Sequence, residues 1–194
     1  MSKNRLEAFS DGVIAVIITI MVLEMKVPQG ETLQALAPSL PVFLTYVLSF
    51  AYLGIYWNNH HHMLHTCERV TGAILWANLH LLFWLSLIPI TTGWMGQNHF
   101  AAVPSALYGV ILLMAAIAYF ILQWLIIASQ GRDSLLKKAI GSDWKGKLSP
   151  ALYVVAIPVS FWLHWVAQGI YVLVALLWLI PDRRIERMLT NKGR

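Results

Sequence analysis

Long apolar runs separated by short polar ones dominate the chain. Between Gly12 and Leu23 only Thr19 interrupts the first run, and the charged residues Arg5, Glu7 and Asp11 precede it. Comparable runs recur, so that the predicted spans lie at 6–26, 41–59, 70–94, 104–129, 150–164 and 166–181. At about 1.5 Å per helical residue, roughly twenty positions cover the ~30 Å hydrocarbon core of a bilayer; the sixth run is near the lower limit. Prolines punctuate the pattern. Pro28 ends the first span, Pro38 and Pro41 bracket the start of the second, and Pro89 lies near the end of the third. Ser149-Pro150 reads as a helix cap followed by proline at the first helical position, Pro158 as a kink, and Pro181 closes the sixth span. The expected fold is an all-α membrane protein, one domain over 1–194 with six transmembrane helices.

Composition agrees. The 194 residues are 58% hydrophobic and 12% charged, against about 25% charged in soluble domains. The first span is too long for a signal-peptide core, carries Asp11 and Glu24 at its two ends, and lacks a small-residue cleavage site. The single cysteine, Cys67, excludes an internal disulfide. With the N-terminus inside, thirteen of the fourteen Lys and Arg residues fall on inner segments and only Lys26 lies outside. The positive-inside rule then puts both termini in the cytoplasm of a cell-membrane protein. The net charge of +5 is topology and attraction to anionic lipid heads, not a nucleic-acid interface.

Asp11 is the odd residue of the first span. A carboxylate exposed to lipid is costly, about 2.5–3.5 kcal/mol at the bilayer centre and less near the interface, so it is expected to face protein. At about 100° per residue, Val16, Ile20 and Leu23 share one face, with Thr19 on its flank and Gly12 a turn below. Asp11 points about 140° away from Val16. From spacing alone that face fits ordinary lipid-facing or core residues equally well.

Arg5, Phe9, Ser10 and Asp11 spell R-x-x-x-F-S-D, followed by G-V-x-A. Trp57, His60 and His61 give Y-W-x-x-H-H, and Asn78, Leu79, Leu82 and Pro89 fit a third helix. These features resemble the transmembrane protein 175 family of potassium channels over essentially the whole chain. The resemblance implies a potassium-preferring, leak-type cation channel. It further implies a homotetramer with a central pore lined by the first helix of each of four subunits. Val16, Ile20 and Leu23 would form the apolar constriction, flanked by Gly12 and Thr19. Val16 departs from the isoleucine usual at its position. No T-V-G-Y-G filter is present, and an apolar ring can gate by dewetting. K+ is the implied permeant ion, with no cofactor.

Arg5, Phe9, Ser10 and Asp11 then read as a structural lock onto Trp57, His60, Asn78 and His80. The plainer alternative is an interfacial anchor, with Arg5 snorkelling to lipid phosphate. His60, His61, His62 and His65 form a cluster in which His61 and His65 have the i, i+4 spacing of paired metal ligands. No acidic residue stands in the six positions before it, and the expectation is no metal. Most tryptophans lie near span ends as interfacial belts, while Trp76 and Trp84 sit mid-span as packing candidates. Two rival functions remain: a proton- or cation-coupled secondary transporter, which would show repeats and interrupted helices, and a histidine-dependent membrane enzyme.

Overall fold

A computed structural model describes residues 2–131, 134–140 and 143–179, and the regular elements among them are all helical. Helix α1 runs Lys3–Leu23. A short 3-10 turn, Leu33–Ser39, leads into α2, Leu40–His65, with Pro41 in its first turn. There the missing N–H removes no intrahelical bond. Helix α3, Gly72–Ser86, starts at Thr71, whose hydroxyl accepts the Ile74 amide at 3.3 Å. The chain breaks at Leu87 and resumes as α4, Ile88–Gln97. Helix α5 spans Ala102–Gln130, α6 Leu135–Ile140, α7 Trp144–Val159 and α8 His164–Leu179.

Among the described residues, four stretches are long and apolar enough to cross a membrane: α1, the 3-10 turn with α2, α3 with α4, and α5. Helices α7 and α8 have 16 residues each, about 24 Å of rise. The final residues of the sixth expected span, 180 and 181, lie outside the described residues.

Several boundaries differ from expectation for identifiable reasons. The second helix runs to His65, so the histidine cluster is helical. Its last two turns stay amphipathic, burying His60, Met63 and Leu64 while leaving His65 outside. The third span is two helices, because Pro89 has no N–H to continue the ladder of α3. Helix α7 begins six residues before Pro150. Its cap is Asp143, whose carboxylate accepts the Gly146 amide at 3.2 Å. Ser149 is instead buried, donating to the Lys145 carbonyl and accepting from the Trp178 indole, both at 2.8 Å.

Helix α1 packs on α2, α3 and α4; α5 packs on α3, α4 and α7; α8 pairs with α7 and returns to α2. Leu53, Leu81, Leu85, Ile88, Met95 and Leu112 fill the interior. At Gly96 the backbones of α4 and α2 meet so closely that a Cβ would stand 2.7 Å from Val42 Cα. The outer surface carries many exposed Leu, Val, Phe and Trp side chains, which suits a lipid solvent. Trp76 is among them, 75% exposed, and is no packing residue within the subunit. Trp84 meets the ring of Phe83 edge-on.

Candidate pore helix and its polar anchor

Helix α1 has two faces of opposite character. Leu6, Ser10, Ile14, Ile17 and Met21, spaced four, four, three and four residues apart, are buried against the rest of the subunit. The other face is bare: Val16 is 55%, Ile20 41% and Leu23 82% exposed, and Gly12, Thr19 and Phe9 are exposed beside them. Gly12, Val16, Ile20 and Glu24 line an open groove of about 660 Å³ that Pro89 and Ile90 complete.

The buried face is pinned by a proton-ordered chain. Ser10 Oγ donates to the Leu6 carbonyl at 2.9 Å and accepts from Asn78 Nδ2 at 2.9 Å. Asn78 Oδ1 lies 2.7 Å from His60 Nε2. With the amide oriented by Ser10, His60 must carry its proton on Nε2 and donate. Its Nδ1 is buried and has no hydrogen-bond partner among the described residues. Ser10, Asn78 and His60 have no solvent exposure, so helices α1, α2 and α3 are tied by one line of neutral polar groups.

At the edge of that face runs a ladder between α1 and α2. Asp11 Oδ1 accepts from Trp57 Nε1 at 2.9 Å. One turn nearer the N-terminus, Glu7 Oε1 meets His61 Nδ1 at 2.6 Å. One turn further, Lys3 Nζ donates to the His65 carbonyl at 2.8 Å. Positions 3, 7 and 11 of one helix thus oppose 65, 61 and 57 of the other. That pairing matches the i, i+4 spacing on both helices, which brings Lys3 and Glu7, absent from the expected lock, onto the histidine cluster.

Three expected members of the lock stand apart. Arg5 is exposed and makes no hydrogen bond or ion pair among the described residues. Six positions separate it from Asp11, which rotates it by about 120°, onto the bare face with Val16. His80 lies two positions, and so about 160°, from Asn78, and it accepts from Trp84 Nε1 at 2.9 Å instead. Phe9 is also on the exposed side. Among the described residues no group of three or more His, Cys, Asp or Glu side chains is arranged to hold a metal ion.

The fold is that of a helical membrane protein whose first helix is anchored on one face and bare on the other. The family is specific. Residues 5–89 match the family model described as endosomal/lysosomal potassium channel TMEM175. A potassium channel of Chryseobacterium sp. (strain P1-3) is 59% identical over 97% of this chain and 98% of its own length. A potassium channel of Chamaesiphon minutus is 32% identical over 89% of this chain and 91% of its own. The crystal structure of a lysosomal potassium-selective channel TMEM175 homolog from that organism superposes with a TM-score of 0.76 at 30% identity, covering 93% of this chain and 97% of that one. The chain belongs to the TMEM175 family, a family of channels and not of enzymes.

Proposed function

We propose that the protein is a potassium-preferring, leak-type channel of the cell membrane, built from four copies with α1 of each around a central pore. The observation that carries this is the pairing of one buried and one bare face on α1. A helix with its back anchored in its own subunit and an apolar stripe exposed can share that stripe around an axis. Val16, Ile20 and Leu23 would form the constriction, with Gly12 and Thr19 flanking it. Ser10, Asp11, Trp57, His60 and Asn78 would hold the stripe in rotation, and Arg5 would sit at the inner mouth. The relatives named as potassium channels over nearly their whole lengths support K+ as the permeant ion. Six crossings, with α7 and α8 as the last two, leave both termini on the cytoplasmic side, as the basic residues require.

The test is the reversal potential of purified protein in a planar bilayer under opposed K+ and Na+ gradients. The reading expects a value displaced toward the K+ equilibrium potential. A reversal potential that follows a pH gradient instead would move the function to proton conduction.

A further inference from the structure

We propose that the cavity between α2, α5, α7 and α8 is a binding site for an organic ammonium group, held by the Asp143 carboxylate against a wall of tyrosine rings. The cavity lies within one subunit, so the proposal does not depend on α1 lining the pore.

Helical spacing builds the wall. Tyr52 and Tyr56 stand one turn apart on α2, Tyr119 and Gln123 on α5, and Ser149 and Tyr153 on α7, so each pair presents one face to the same space. Trp178 of α8 completes it. The ring centroids of Tyr56 and Tyr119 are 6.1 Å apart and those of Tyr52 and Tyr153 6.4 Å. A guest touching one ring is therefore close to the next, and a cation within about 6 Å of a ring centroid is attracted by the ring quadrupole. The cavity measures about 60 Å³. That is room for roughly four waters, or for a head group with about as many heavy atoms.

The polar atoms of the wall select the sign of the guest. The Tyr52 hydroxyl donates to the Tyr171 carbonyl at 2.6 Å and the Tyr119 hydroxyl to the Asn59 carbonyl at 3.3 Å. The Trp178 indole donates to Ser149, and Ser149 to the Lys145 carbonyl. Capacity remains on the Asp143 carboxylate and the Tyr56 hydroxyl. Asp143 accepts from the Gly146 amide at 3.2 Å and from Gln123 Nε2 at 3.3 Å. A carboxylate has about four lone-pair sites, so two N–H donors do not exhaust it. Asp143 forms no ion pair among the described residues. The Lys145 ammonium, two positions on, donates to the Leu177 carbonyl at 3.1 Å. The Tyr56 hydroxyl has no hydrogen-bond partner among the described residues. Glycine at 146 leaves the carboxylate its place, since a Cβ there would stand 2.5 Å from Asp143 Oδ2.

A carboxylate without a counter-ion at the edge of an aromatic cavity suits a cation with an apolar body. An anion meets the carboxylate and the ring faces, and a neutral guest leaves the charge unpaired. Asn59, Gln123 and Asp143 stand at the end of the bundle that the proposed topology places at the cytoplasm, and the half-exposed Phe120 stands at the cavity's rim. The ammonium group can therefore come from a free amine of the cytoplasm or from the ethanolamine head of an inner-leaflet lipid.

The experiment is calorimetric titration of the purified full-length protein in detergent at neutral pH. Ethanolamine is the first probe, and mixed micelles carrying phosphatidylethanolamine are the second. The proposal expects one saturable site per subunit. Binding of free ethanolamine assigns the site to soluble amines; binding of the lipid alone assigns it to the headgroup. Ethylene glycol and phosphatidylglycerol, which lack the ammonium, should not bind. Asn caps helices and tolerates the left-handed backbone of position 143, so Asp143→Asn should melt as wild type does and weaken binding about tenfold or more. Tyr56→Leu should weaken it about threefold. No saturable binding of either ammonium probe, equal binding of the uncharged analogues, or wild-type affinity in Asp143→Asn overturns the proposal.

Discussion

Two polar clusters cross the interior, and they differ in kind. One ties α1 to α2 and α3 through Ser10, Asn78 and His60, with the ion-bearing ladder of Glu7 and Asp11 beside it. The other joins α2, α4, α5 and α8 through hydroxyls and one amide. Thr92 Oγ1 donates to the Ile88 carbonyl at 2.8 Å, so Ser49 Oγ donates to Thr92 at 2.6 Å and accepts from the Tyr108 hydroxyl at 3.0 Å. Gln168 donates to Ser105 Oγ at 2.8 Å, the Tyr171 hydroxyl to the Ser105 carbonyl at 3.0 Å, and the Tyr52 hydroxyl to the Tyr171 carbonyl at 2.6 Å. The second cluster is redundant in part: without Ser49, Thr92 keeps the Ile88 carbonyl, whereas the Tyr108 hydroxyl loses its bond to Ser49. In the first, the buried tie from α1 to α3 among the described residues runs in a single line through Asn78. The helix that carries the candidate constriction therefore depends on Asn78 for its buried tie to α3.

That difference sets the expected size of two substitutions. Asn78→Leu removes both bonds at once and strands the buried His60 imidazole, while Ser10 keeps the Leu6 carbonyl. Membrane-buried hydrogen bonds average about 0.6 kcal/mol and reach about 1.7, so two bonds plus the stranded imidazole cost roughly 2–4 kcal/mol. Thermal melting of the purified protein in detergent should show a clear drop, with loss of assembled protein. Ser49→Ala leaves Thr92 bonded to Ile88 but takes the Ser49 bond from the Tyr108 hydroxyl, and should cost about 1–2 kcal/mol, with assembly retained. Equal losses in the two variants would erase the distinction between a line and a mesh.

What could be read in advance follows the same divide. Polar groups such as Asp11, His60 and Asn78 inside or beside apolar runs are conspicuous, and the motif resemblance added Ser10 and Trp57; the structure places Ser10, His60 and Asn78 in one chain and Asp11 on Trp57. Serine, threonine and tyrosine are ordinary inside membrane helices, so nothing distinguished Ser49, Thr92 or Ser105 beforehand. Arg5 joined the expected lock through the motif and His80 as a polar residue of the third span; a helical-wheel count separates both from it. The helix break at Leu87 was foreshadowed by Pro89, but the cap of α7 was not. Ser149-Pro150 is the commoner signature, whereas Asp143 caps from a left-handed conformation, φ 40°, that the sequence gives little reason to expect.

Whether the bare face of α1 is the ion path is decided by unitary currents. Ile20→Ala and Leu23→Ala should each enlarge the single-channel current and move the reversal potential under opposed K+ and Na+ gradients toward zero, because a wider apolar ring dewets less readily and discriminates less. Single-channel current and reversal potential both unchanged from wild type in the two variants would contradict the account and place the pore elsewhere in the molecule.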